Sequence, residues 1–118
     1  MAENLKKKAE IVQAVLNEFG VELNVVQLSA STRSAQEAAE AVGCRLGQIA
    51  KSLVFKGKTS QKPILIITSG TNRVNEKVVE GEIKEKLEKA DADFVLEYTG
   101  FSIGGVPPIG HKYPLPIY

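Results

Sequence analysis

The stretch KSLVFKGKTSQKPILIIT, Lys51 to Thr68, sets two apolar, branched-rich runs on either side of the turn-forming residues Gly57 to Gln61. Such runs, bounded by glycine and polar residues, read as two strands of a β-hairpin with a long turn. Upstream, Leu46 to Ala50 reads as a helical turn leading into the first strand. Ser34 with Glu37 three residues later is a capping-box signal for a short helix through AQEAAEAV, closed by Gly43. VELNVVQL, Val21 to Leu28, is rich in branched residues and reads as a strand. Leu5, Ala9, Val12, Leu16 and Phe19, with Ile11 and Val15 beside them, make an apolar stripe at helical spacing that stops at Gly20. Lys6, Lys7 and Lys8 form its wet face and carry no assigned role.

Downstream, SGTNRVN is a turn-rich connection. NEKVVEGEIKEKLEKA places Val78, Val79, Ile83 and Leu87 at helical spacing despite Gly81, so one helix is expected to run to Ala90. DFVLEY reads as a return to strand. The prolines of HKYPLPIY suggest an edge or irregular strand. Local antiparallel pairing mixed with crossovers points to an α+β domain with a mixed sheet.

The whole chain, 118 residues with 43% apolar and 25% charged side chains, suits one globular domain. No apolar run approaches the roughly 20 residues of a membrane span, and MAENLKKKAE has no apolar signal region behind it. A cytoplasmic protein is expected. The single Cys44 and single His111 give no basis for a disulfide or a zinc site, so no metal and no cofactor are expected. The net charge is only +1, but residues 41–75 contain no Asp or Glu while holding Arg45, Lys51, Lys56, Lys58, Lys62 and Arg73. That strip is either scattered strand-end charge or a surface for phosphates.

Acid-base chemistry is sparse. Lys51 opens an apolar strand, so its stem borders the core while its ammonium reaches a cleft or water. Ser52 points to the opposite face, which makes a Ser-Lys nucleophile pair poor geometry. Ser69 and Gly70 end the second strand, where a hydroxyl meets a site or caps a turn. Nothing near His111 in sequence orients it as a base, and Cys44 reads as a small apolar residue. SGTNRVN lacks the Gly-Lys-Ser/Thr ending of a P-loop, and GGVPPIG puts prolines where a dinucleotide-binding helix would start. The segment FSIGGVPPIGHKYPLP, Phe101 to Pro116, carries three glycines and four prolines. That mixture builds a rigid loop whose backbone can approach a ligand.

QIAKSLVFKG, then a strand ending in ITSGTNRVN, then TGFSIGGVPPIGHKYPLP together resemble the YbaK and prolyl-tRNA-synthetase-associated domain family of aminoacyl-tRNA deacylases. The resemblance runs from about Val21 to the end. Its two motifs are Lys51-Ser52 at the head of an apolar strand and the Gly-x-x-x-Pro loop, Gly104 to Pro108. It implies a compact α+β domain with a strongly curved mixed sheet, a metal-free pocket for the aminoacylated 3′ end of tRNA, and hydrolysis of the ester of a mischarged tRNA, with Ala- or Cys-tRNA(Pro) as the expected substrates. Lys51 and the backbone amides of Gly104, Gly105 and Val106 are then the catalytic set, with Ser52, Ser69, Gly70, Pro108 and His111 binding substrate. Longer relatives continue past a strand like LPIY, so residues 1–118 are expected to form one editing-like domain lacking a C-terminal segment, whose unpaired last strand would recruit a second copy. The rival readings are a tRNA- or partner-binding module of the same fold without turnover, and a hydrolase of other activated esters served by Ser69 or His111.

Overall fold

A computed structural model describes residues 2–20, 22–26 and 34–118. Helix α1 runs Ala2–Glu18 and helix α2 Ala35–Val42, followed by a single 3-10 turn at Leu46–Gln48. Strand β1 is Ala50–Gly57, β2 Pro63–Ser69, then helix α3 Glu76–Ile83, strand β3 Leu87–Lys89 and helix α4 Ala92–Thr99. The hairpin forms as read, with Ala50 opposite Ser69 and Phe55 opposite Ile64. Its turn closes through Gly57 N–H to Lys62 O at 2.9 Å and Gln61 N–H to Gly57 O at 2.8 Å.

The sheet order is β2-β1-β3, all antiparallel, with β3 set against Phe55 to Gly57. Among the described residues, parallel pairing enters only at the chain's end. There Ile117 bridges Leu65, Pro116 O accepts from Leu65 N–H at 2.9 Å, and Tyr118 O accepts from Ile67 N–H at 2.8 Å. The expected unpaired last strand is therefore bonded to β2. Pro114 and Pro116, which lack an amide donor, blunt this end of the sheet. Because neighbours cover both faces of β2, Ile64, Leu65 and Ile66 are all buried and form the core with Ala39, Ala90, Val95 and Phe101.

Three expected elements differ. Of the strand expected at 21–28, residues 22–26 are irregular and the rest lies outside the described residues. The Gln13 side chain of α1 satisfies their backbone instead: its Oε1 accepts from Val25 N–H at 2.7 Å and its Nε2 donates to Leu23 O at 2.9 Å. The helix expected to reach Ala90 ends at Ile83. Lys84 adopts a left-handed φ of 61°, and the Glu80 carboxylate then accepts from Leu87 N–H at 2.8 Å, so LEK joins the sheet as β3. DFVLEY is helical, not strand. Asp91 caps it by accepting from Phe94 N–H at 2.8 Å, Gly100 ends it at φ 80°, and Val95 and Thr99, four residues apart, are buried on one face.

Candidate active site

The Gly-Pro loop leaves α4 through Gly100. Gly105 N–H donates to Ser102 O at 2.9 Å and Gly104 has φ 83°, a turn in which the third residue needs positive φ. The amide of Gly105 is thereby consumed. Gly104 and Val106 have no intramolecular acceptor for their amides among the described residues. Both line a cavity of about 300 Å³ whose other walls include Ser52, Val54, Phe55, Ala90, Val95 and Ile103. Strand β1 and the loop, half the chain apart in sequence, thus meet around a small apolar space.

Lys51 is half-buried at the start of β1. Its Nζ donates to Asn72 O at 3.1 Å, and it is not among the residues lining that cavity. An ammonium has three hydrogens, so two remain for a ligand. Ser69 Oγ donates to Gly47 O at 2.8 Å and Gly70 N–H donates to Ile49 O at 2.7 Å. These bonds tie the end of β2 to the 3-10 turn and thereby set the carbonyl that receives Lys51. Pro108 is exposed. His111 folds back so that its Nε2 lies 2.6 Å from Pro107 O. A ring nitrogen facing a carbonyl carries the proton, which the Nε2–H tautomer and the imidazolium both supply.

The structure therefore sorts the expected residues into three groups. Ser52, Gly104 and Val106 share the cavity; Lys51, Ser69 and Gly70 gather at the strand ends beside it. Gly105 and His111 shape the loop, the latter through Pro107 O, and Pro108 stands exposed on it. Sequence reading missed Thr99, whose side chain is the one buried polar group among the described residues. It also missed that α1 packs against the loop: Val12 and Val15 pack toward Gly110, and Lys8 Nζ lies 5.9 Å from the Phe101 ring centre. A larger cleft of about 770 Å³ lies at the hairpin-turn end, lined by Tyr98, Tyr113 and Tyr118, and holds none of the expected site residues. Size alone does not make a site, and Gly104 and Val106, whose amides have no acceptor among the described residues, line the smaller cavity instead.

No group of three or more His, Cys, Asp or Glu among the described residues is placed to hold a metal ion, and no helix there is long and apolar enough to cross a membrane. The aminoacyl-tRNA editing domain profile matches residues 29–118. The chain belongs to the aminoacyl-tRNA editing domain family. It is similar to the uncharacterized protein YwhH of Bacillus subtilis (strain 168), at 33% identity over 107 residues that span 91% of this chain and 68% of YwhH. A proline-tRNA ligase of Limosilactobacillus fermentum shares 36% identity over 80 residues, 64% of this chain and 14% of the ligase. Among solved structures, a proposed trans-editing enzyme for prolyl-tRNA synthetase superimposes with a TM-score of 0.85 at 48% identity, over 93% of this chain and 69% of that one. Editing-domain membership is thus carried by sequence and fold together, and the fold likeness takes in nearly all of the chain.

Proposed function

We propose that residues 1–118 act as one editing-like domain that hydrolyses the ester of a mischarged aminoacyl-tRNA in trans, with Ala- or Cys-tRNA(Pro) as substrate, and without a metal or cofactor. The observation that carries this reading is that Gly104 and Val106, whose amides are unspent, both line an apolar cavity of about 300 Å³. An aminoacyl ester is already activated. Its hydrolysis needs donors where negative charge develops on the carbonyl oxygen, and each such donor is worth roughly 3 to 4 kcal/mol. The attacking group is a positioned water or the neighbouring ribose hydroxyl, which explains a site poor in acids and bases.

Within this reading Gly105 supports the turn while Gly104 and Val106 donate. The cavity's apolar wall, Val54, Val95 and Ile103, receives a small side chain. Ser52 and Pro108 border the aminoacyl group, Ser69 and Gly70 hold the turn behind Lys51, and His111 holds the loop. Lys51 uses its remaining donors on the terminal nucleotide. A charged-tRNA substrate places the work in the cytoplasm.

Deacylation of Ala-, Cys- and Pro-tRNA(Pro) by the chain and by Lys51→Ala tests the reading. Selective release from Ala- or Cys-tRNA(Pro) that collapses in Lys51→Ala is the expected result. Bound tRNA without released amino acid would replace the hydrolase with a binding module, and release that survives Lys51→Ala would remove the lysine from its role.

A further inference from the structure

Both ends of the Gly-Pro loop are fastened to one residue. Thr99, the last residue of α4, is 0% exposed. Its hydroxyl donates to Val95 O at 2.7 Å, with Phe101 O a longer second acceptor at 3.2 Å, and accepts from Phe101 N–H at 3.1 Å. The side chain therefore fixes the residue that begins the loop. Its carbonyl fixes the other end, accepting from Lys112 N–H at 2.9 Å. Between these ends lie two internal ties, Gly105 N–H to Ser102 O and the His111 ring to Pro107 O. The whole forms a loop closed at its base and braced across its middle.

We propose that Thr99 and His111 are positioning residues that hold the amides of Gly104 and Val106 at the reacting ester, an inference that rests on the hydrolase reading above. Neither side chain lines the cavity. Their action is through the backbone. Thr99 sets where the loop starts and finishes; His111 sets how far Pro107, the neighbour of Val106, stands from the loop's return. Oxyanion donors act only when they are held before the charge forms, and displacement by an ångström costs up to about 100-fold in rate. A buried threonine that bonds the loop's first residue through its side chain and its last through its backbone gives this chain such a hold.

The test pairs each removal with a conservative partner: Thr99→Val against Thr99→Ser, and His111→Phe against His111→Gln, which retains an N–H donor. Amide hydrogen exchange without tRNA reads the loop, and single-substrate deacylation kinetics read the site. The expected result is faster exchange at Gly105 and Lys112 in Thr99→Val and His111→Phe, with α3 amides unchanged. In the same variants kcat falls about 10- to 100-fold while KM holds, and Thr99→Ser and His111→Gln recover most of both. Unchanged loop exchange in both removals overturns the proposal whatever the activity does. Loosened exchange with unchanged kcat overturns it too. Should Thr99→Val fail to fold, the His111 pair decides on the same readouts. An inactive parent chain whose loop amides still respond to the variants overturns the hydrolase reading and, with it, the catalytic role assigned to the hold.

Discussion

Two glycines show how single atoms set this site. A Cβ at Gly70 would stand 2.5 Å from Leu46 O, a backbone atom that cannot swing aside, and the Gly70 amide is already bonded to Ile49 O. Gly70→Ala therefore forces the end of β2 away from the 3-10 turn and is expected to cost about 1–3 kcal/mol, read from urea unfolding. A Cβ at Gly104 meets nothing within 4 Å, so crowding is not its constraint. Its constraint is φ 83°, which an L side chain adopts only with strain. Gly104→Ala is expected to lose about 1–2 kcal/mol in the loop while lowering deacylation far more than global stability. A full-rate Gly104→Ala enzyme would show that the turn's shape does not matter to the reaction. The two substitutions look alike on paper, yet one disturbs the scaffold behind Lys51 and the other the amides proposed as donors.

At the scale of elements, the hairpin turn is held by a residue from a distant segment. Glu85 accepts from the amides of Thr59 and Ser60, both at 2.9 Å. Its pKa is lowered from the usual 4.5, first by the Ser60 amide and then by the Ser60 hydroxyl; desolvation opposes them, and the Thr59 amide and the charge of Lys62 add smaller lowering contributions. A carboxylate whose folded pKa is depressed stabilises the fold above its ordinary value and loses that contribution as pH falls through the lowered one. Thermal unfolding of the parent and Glu85→Gln is therefore expected to differ at neutral pH and to converge once the pH drops below the carboxylate range. A gap that persists in acid would assign the effect to packing. Sequence made the hairpin, α1, α2 and the loop legible because each carries its own signal: alternation, helical spacing, a Ser34 cap, clustered Gly and Pro. It misled where propensity and context disagree. The aromatic and branched residues of DFVLEY favour strand in isolation, but the Asp91 cap and the buried pair Val95 and Thr99 make a helix. KEKLEKA has helical composition, yet Leu87 to Lys89 gain more from pairing with β1 than from extending α3 past Lys84. The lysine and the loop of the site were legible as motifs. That Gly105 is spent and Thr99 holds the loop depends on hydrogen bonds between segments, which no local pattern encodes.

Across the whole molecule, the acid-free strip of residues 41–75 is not acid-free in space. Lys56 Nζ lies 3.8 Å from Glu88 and 5.4 Å from the Phe94 ring centre, and the Glu85 carboxylate sits on the hairpin turn near Lys62. The fold thereby offsets part of the positive charge at the turn end of the hairpin. Arg45, Lys51 and Arg73 lie at the other end, where β1 begins and β2 finishes. If these three charges are the ones that meet tRNA phosphates, each releases its share of counterions, and the logarithm of the binding constant falls against the logarithm of salt with a slope of about −2 to −3. A strip acting with all its cations would give a slope near −4 to −5. Titrating labelled tRNA over a range of potassium chloride distinguishes the two, and Arg73→Gln is expected to flatten the slope by just under one whereas Lys58→Gln leaves it unchanged. Equal effects from both variants would mean that the nucleic acid lies along the whole hairpin, and the acceptor end would then have to turn sharply to bring its ester to Gly104.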